Sequence, residues 1–361
     1  MKGSPQTDKI KFQFTDCPGY LKYFRNLIRG IQGAHVAVFV LDVYGACLEE
    51  CRDQVLDQLY ACFSGGIQNL VMCLNRMDHR EIQWDRVFYD QVAIGFKQIA
   101  FKVGYNDDNI KAIIPISGWE GDNLTKMSDR MIWYEGPTLL QALESIVVNF
   151  PKELNDKPFM MAIKECHKIG GVDTVVCGVV LQGTVRPEME VQVEASGKKS
   201  IVRSIEAHLE PIQEATVGMS IGIALKRLST REIFVGDVLM QSTDSGTTLA
   251  QKRALSITAT IEIVRKPFMQ GIKKGIALIA DMHTNHYGVN LLQLLEKINK
   301  DTGELLQANP ESVDAMFLSA RLLCQKHIKF AEQLYYGQGT SIAWKIFIKR
   351  RYPNYWVGSH Q

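Results

Sequence analysis

Apolar and polar positions alternate in two different ways along the chain, and the change falls near residue 151. Residues 35–42, HVAVFVLD, form an apolar run too short for a helix. Such a run predicts a strand buried on both faces of a parallel sheet. Leu48, Cys51, Val55, Leu59 and Cys62 then recur at steps of three and four, and Gly65-Gly66 closes the helix they predict. Residues 69–74 and 110–116 read as a second and a third buried strand. Between them Trp84, Val87, Phe88, Gln91, Val92 and Phe96 mark a helix that is largely apolar on one side, and 138–148 predicts another. Ahead of all these, Lys11-Phe12-Gln13-Phe14 alternates like the end of a strand and leads into an amphipathic helix within 15–30. Strand and helix in alternation predict a doubly wound α/β domain.

Beyond 151 the helical period fades, and short alternating runs are separated by Gly, Pro, Asp and Ser. Strands are predicted over 174–181, 190–194, 201–207, 221–226 and 237–240, followed by a polar link at 241–248. In the last part Leu255, Ile257, Ala259, Ile261 and Ile263 share one face, and Ile342, Trp344, Ile346 and Ile348 repeat that alternation. Residues 290–299 suit a helix as well as a strand. The expected architecture is a truncated doubly wound domain over 1–152, then two small antiparallel β-barrels over 153–245 and 246–361.

Three loop motifs fall at predicted strand ends. Asp16 and Gly19 form D-x-x-G, where a carboxylate can hold Mg²⁺ through water and a glycine N–H can meet a terminal phosphate. The second strand ends in Asn75-Arg76-Met77-Asp78, close to N-K-x-D. In that motif the Asp accepts from N1–H and the 2-amino group of guanine, and the Asn braces the loop. The third strand ends in Ile116-Ser117-Gly118-Trp119, whose Ser and backbone N–H groups would face the base oxygen. Each motif alone is a common loop. In this order, each at its own strand end, they describe a guanine-nucleotide site.

With DCPGYLKYFRNLIRG, NRMD, IPISGWEGDNL, DKPFMMAIKECHKIGGVDTVVCGVV, FVGDVLM and IADMHTNHYG in view, the chain resembles the translational GTPases, and specifically the eukaryotic elongation factor 1-alpha type. The resemblance runs from Lys11 to the end. It implies a GTP-binding domain followed by two β-barrels that carry aminoacyl-tRNA. It also implies a P-loop, first helix and switch I ahead of residue 11. No G-x-x-x-x-G-K-[ST] occurs in the sequence, so the β-phosphate cradle is expected to be missing, at about 1.5–3 kcal/mol for each charged hydrogen bond forgone. Tyr20 stands where the family has the His that positions the attacking water, and a phenol cannot become an imidazolium. Arg76 replaces the family's Lys, and its stem can still lie along a base. Glu188 replaces a turn glycine, so that turn is expected to avoid a glycine-only φ. Removing the family's central first strand leaves three outcomes: the flanking strands pair directly, another chain supplies a strand, or the sequence is a fragment.

The resulting expectation is a catalytically inactive pseudo-GTPase. Asp16, Gly19, Asn75, Arg76, Asp78, Ser117, Gly118 and Trp119 would form a vestigial nucleotide site, with no catalytic residue, no metal ligand and no cofactor. It would act as a protein-binding component of a larger assembly, cytoskeletal, ciliary or ribosome-associated. The alternative is a genuine factor that binds GTP or GDP with Mg²⁺ and delivers aminoacyl-tRNA, its N-terminus missing from this sequence.

Composition changes this picture little. A formal charge of +2 over 361 residues gives no strong field, so RNA or ribosome binding would need a local patch. Lys345, Lys349, Arg350 and Arg351, among Tyr352, Tyr355 and Trp356, are the candidate, although a solvated barrel edge is the simpler reading. His283 and His286 read as hydrogen-bonded barrel residues rather than metal ligands. The eight cysteines are scattered with no CxxC pair, which fits a reducing compartment better than disulfides or zinc. No export signal or membrane-length apolar run is present, so a cytoplasmic protein, in contact with cytoskeleton or cilium but not with membrane, is expected.

Overall fold

The computed structural model describes residues 10–44, 48–148, 150, 152–170, 174–193, 196–242, 254–262, 272–282, 285–299, 302, 304–313, 317–328 and 347–350. The chain forms two compact units, Met1–Phe150 and Pro151–Gln361.

The first unit is built on a three-stranded parallel sheet in the order β1 (Val36–Asp42), β2 (Asn69–Asn75), β3 (Ile110–Pro115). Strand β2 is central, and Leu70, Val71, Met72, Cys73 and Leu74 are each at most 1% exposed. Its register with β1 runs from Val36↔Asn69 to Asp42↔Asn75, which brings the two strand ends level. Helices α1 (Phe24–Ile31), α2 (Leu48–Ser64), α3 (Arg86–Val103) and α4 (Leu139–Ser145) complete the unit. Helix α3 starts at Asp85, whose carboxylate accepts from Val87 N–H, and ends at Gly104, where φ is 115°. Helix α4 begins with a reciprocal capping box between Thr138 and Gln141.

Two expectations for this unit fail. Residues 12–16 form no strand, and Lys11 makes only a single β-bridge, so the D-x-x-G loop does not sit at a strand end. Among the described residues the flanking strands therefore do not close up into a ladder, and β1 pairs with β2 alone. As an outer strand, β1 is not buried on both faces. Most of its residues are half-buried, and Val40 is 62% exposed. An apolar run records that a strand was suited to burial on two sides, but it does not supply the neighbours.

The second unit carries an antiparallel sheet of β4 (Met160–Lys168), β5 (Thr174–Gln182), β6 (Glu190–Val193), β7 (Lys199–Ala207), β8 (Glu210–Ile212), β9 (Ser220–Leu225) and β10 (Val238–Gln241). Their order is β6-β10-β4-β5-β9-β7-β8, and β6 also pairs with β7. Six strands thus close into a barrel around Phe159, Met161, Ile163, Val176, Val202, Ile205 and Ile223. A further antiparallel sheet joins β11 (Ala254–Glu262), β13 (Ala277–Met282), β14 (Asn285–Ile298), β15 (Leu305–Ala308), β17 (Phe317–Ile328) and β18 (Phe347–Arg350). A two-stranded ribbon pairs β12 (Ile272–Lys273) with β16 (Ser312–Val313). The ambiguous 290–299 segment is strand as far as Ile298, paired along one edge with β17 and on the other with β13 at Asn290 and with β15 at Glu296–Ile298.

The turn at Glu188 corrects the expectation made for it. Its φ is 65°, so the left-handed conformation is kept without a glycine. Lys226 Nζ reaches both Glu188 carboxylate oxygens, at 2.7 and 2.8 Å, and ties the residue down in that conformation. Residues 243–248 of the polar link lie outside the described residues, as do His283, Ile342, Trp344, Ile346, Lys345 and Arg351. Lys349 and Arg350 fall in β18. Among the described residues no helix is long and apolar enough to cross a membrane.

Candidate functional site: two base loops and a detached phosphate segment

The NRMD loop grows directly out of the sheet. Beyond the end of β2 the parallel ladder continues, with Ile116 N–H donating to Leu74 C=O at 2.8 Å and Met77 N–H to Ile116 C=O at 3.2 Å. Arg76 takes a left-handed φ of 69°, and Met77 beside it is fully buried as a plug beneath the loop. Asp78 follows immediately, and its Oδ1 is buried with no hydrogen-bond donor. A buried carboxylate oxygen without a donor is costly unless something else supplies one.

The second loop is fastened to the first. Asn75 Oδ1 accepts from Gly118 N–H at 2.8 Å. A Cβ at residue 118 would sit 3.2 Å from that oxygen, so glycine leaves room for the Asn75 side chain against the backbone of the second loop. Ser117 is fully buried, and its Oγ accepts from Glu120 N–H at 3.0 Å. Trp119 projects outward, 90% exposed.

Sequence reasoning passed over the residue that holds this loop. Asn123, fully buried at φ 56°, donates from Nδ2 to Pro115 C=O at 2.9 Å and accepts at Oδ1 from Ser128 N–H at 2.8 Å. The only signal was an Asn after Gly-Asp in IPISGWEGDNL, a residue type that tolerates αL and can mimic backbone. Trp84 and Arg130 add an outer brace. Trp84 Nε1 donates to Asp122 Oδ2 at 3.2 Å, and the Arg130 guanidinium lies 5.0 Å from the Trp84 ring centroid while pairing with Glu120.

Arg76 is committed elsewhere than along a base. Its Nη1 sits 2.8 Å from Asp42 Oδ2, and its guanidinium lies 5.3 Å from the Tyr44 ring centroid. Tyr44 in turn stacks on His79, with centroids 3.5 Å apart and planes 23° from parallel, and its N–H donates to Asp42 Oδ1. The register of β1 with β2, which sets Asp42 opposite Asn75, brings this cluster together.

The D-x-x-G segment stands apart. Asp16, Gly19 and Tyr20 are exposed, and none has a hydrogen bond or ion pair to the two base loops among the described residues. Gly19 C=O accepts from Gln54 Nε2 at 2.6 Å and Gln58 Nε2 at 2.9 Å, two donors one turn apart on α2. Cys17 packs under Gly30, where any Cβ would run into its sulfur. Tyr20 is 71% exposed, with Lys22 Nζ 5.7 Å from its ring centroid. Helix α1 begins at Tyr23 with no side-chain cap. Buried thiols nearby are inert, since burial pushes Cys62 and Cys73 up to about 12.

Residues 2–149 match the model of the elongation factor Tu GTP binding domain, and 173–240 match elongation factor Tu domain 2. Among solved structures, the apo translation elongation factor SelB of Methanococcus maripaludis is 17% identical with a TM-score of 0.64, covering 90% of this chain and 65% of that one. The Saccharomyces cerevisiae Ski7 GTPase-like domain, bound to GTP, is 19% identical with a TM-score of 0.63, covering 86% and 71%. A bacterial selenocysteine-specific elongation factor is 17% identical with a TM-score of 0.61, covering 87% of this chain and 44% of that one. At these identities the structural likeness concerns the fold alone.

Proposed function

Since the chain belongs to the translational GTPase family, we propose that it is a member that has lost hydrolysis and serves as a docking body within a larger assembly. The observation that carries this reading is Tyr20. It occupies the place of the family's water-positioning His, is 71% exposed, and has no hydrogen bond or ion pair to the base loops among the described residues. A neutral phenol can donate one hydrogen bond but, unlike an imidazole, cannot take up a proton to answer the charge that develops on a transferring phosphoryl group. Arg76 supports the same reading, because its guanidinium pairs with Asp42.

The base-reading residues do fit a guanine. A bound guanine nucleotide would offer its N1–H and 2-amino group to Asp78, whose buried Oδ1 lacks a donor. Asn75 and Gly118 would hold that loop in place. Asp16, a single exposed carboxylate, would be the only one of these groups facing a metal. This favours weak base recognition without phosphate chemistry. It also gives the second reading, a GTP-binding elongation factor, its best support.

Titration of the purified chain with fluorescent GDP and GTP, with and without Mg²⁺, separates the two. The expected result is a Kd weaker than about 100 µM, roughly −5.5 kcal/mol, no discrimination between GDP and GTP, and no phosphate release. Micromolar binding with Mg²⁺-dependent turnover overturns the proposal. The family resemblance makes a cytoskeletal or ciliary host the first expectation and a ribosome-associated one the second. Co-sedimentation with filaments against co-sedimentation with ribosomes decides between them.

A further inference from the structure

The barrel of the second unit carries a cavity that the proposed function does not use. Its volume is about 500 Å³, and three segments line it: Asn155 and Lys157 ahead of β4, Thr184 and residues 186–189 between β5 and β6, and Gln241 at the end of β10. Backbone bonds fix the walls. Gly183 N–H donates to Leu154 C=O at 2.7 Å, and a Cβ on Gly183 would fall 2.5 Å from the Phe159 backbone. Glycine thus lets the turn after β5 press against the segment that leads into β4. Val185 and Ala215 exchange both backbone hydrogen bonds at 3.0 Å beside it. A cavity of this volume falls in the range that small molecules occupy.

The polar groups on the walls favour one sign of ligand. Asn155 Oδ1 accepts from Val217 N–H at 3.2 Å, and Gln241 Oε1 accepts from Phe159 N–H at 3.4 Å. A backbone N–H can only donate, so in both side chains the oxygen serves the fold and the NH₂ group is left over. Neither NH₂ group, nor Thr184 Oγ, has a hydrogen-bond partner among the described residues. Lys157, half-buried, and Arg186, steadied by Glu214 at 2.7 Å, add positive charge. The acid of the lining, Glu188, gives both oxygens to Lys226. With these ion-pair partners counted, the cavity has three cations against two carboxylates. Its walls are rich in donors, and the lining carboxylate is already engaged.

We propose that this cavity binds a small phosphate monoester. The NH₂ groups of Asn155 and Gln241, the Thr184 hydroxyl and the Lys157 ammonium take the phosphoryl oxygens, and Pro187 and Met189 take the apolar side of the ester. The donors come from three segments of chain, and a phosphoryl group has three oxygens to meet them where a carboxylate has two. The volume suits one small ester, whereas a nucleic-acid backbone needs a groove to run along. None of these residues belongs to the β2 and β3 loops, so a chain found to hydrolyse GTP would leave the cavity's ligand unchanged.

The test uses the full chain in phosphate-free buffer and saturation-transfer NMR with three matched sugars: glucose 6-phosphate, glucuronate and glucose. Glucose 6-phosphate is expected to bind with a Kd of about 1 mM or tighter, glucuronate about tenfold more weakly, and glucose not at all. Inorganic phosphate should displace glucose 6-phosphate, and hexaadenylate should not. Asn155→Asp keeps one oxygen for Val217 N–H and turns a second toward the ligand. It should weaken glucose 6-phosphate by about tenfold or more with an unchanged melting temperature, and Gln241→Glu should do the same. Should Asn155→Asp unfold, Lys157→Gln reads the loss through the charge instead. No binding of glucose 6-phosphate at about 10 mM, equal binding of glucuronate or glucose, or indifference to the variants overturns the proposal. So does displacement by hexaadenylate at a lower concentration than by inorganic phosphate, since the phosphate would then belong to a nucleic-acid backbone.

Discussion

The loops at the ends of β2 and β3 and the D-x-x-G segment, which the proposed function assigns to one nucleotide site, are held in different ways. The base loops are continuous with the core, through ladder bonds past the strand ends, the buried Met77 and the doubly bonded Asn123. Among the described residues, the D-x-x-G segment is held at the clamped Gly19 carbonyl and where Cys17 packs under Gly30, and the helix after it starts without a side-chain cap. Where the bonds that shape a binding loop are also bonds the fold needs, geometry persists whether or not a ligand is bound. Where the shape served only the ligand, nothing in the fold maintains it.

The largest test of this contrast is Asn123→Ala. The change strips Pro115 C=O and Ser128 N–H of their buried partners and places alanine at φ 56°. Two unsatisfied groups and a left-handed alanine together should cost about 2–4 kcal/mol, read as a fall in melting temperature of the first unit. A cost under about 0.5 kcal/mol would mean that the base loop is as loosely attached as the phosphate segment.

A change of opposite sign is expected at Asp78. Its Oδ1 is buried without a donor, so Asp78→Ala removes a desolvated oxygen and should stabilise the ligand-free chain by about 1 kcal/mol. Denaturant melts check this directly. Destabilisation of similar size would show that the carboxylate has become structural and that the base pocket is a relic of packing.

Much of this was legible beforehand. Helix α2, strands β2 and β3 and most of the barrel strands follow from period and punctuation. What failed did so because the deciding term was not local. HVAVFVLD has the composition of a doubly buried strand but lies at the end of the sheet order. FQF alternates like a strand, but among the described residues it joins no strand. Glu188 takes a conformation that favours glycine, held by Lys226 some forty residues away in sequence, a partner no turn rule anticipates. Arg76 looked free to lie along a base until the register of β1 and β2 delivered Asp42 to it. Strand β4 went unread because its first half is a continuous apolar run and its second half is polar.

The smallest expected effect is on the phosphate segment. Gln54 and Gln58 both donate to Gly19 C=O, which a carbonyl with two lone pairs can accept. The site is exposed, so water replaces the donors when both are cut to alanine. The net loss should stay below about 1 kcal/mol, at the low end for two such bonds. Locally the consequence is larger, because these are the only hydrogen bonds from α2 to Asp16, Gly19 or Tyr20 among the described residues. Hydrogen exchange of the amides of Asp16, Cys17, Gly19 and Tyr20 should quicken by about tenfold, the equivalent of about 1.4 kcal/mol of local opening. Exchange at 75–78 and 117–123 should not change. If both regions quicken together, the two halves of the old site still move as one unit. If neither does, the segment is held by the packing of Cys17 under Gly30, and Gly30→Ala becomes the change that releases it.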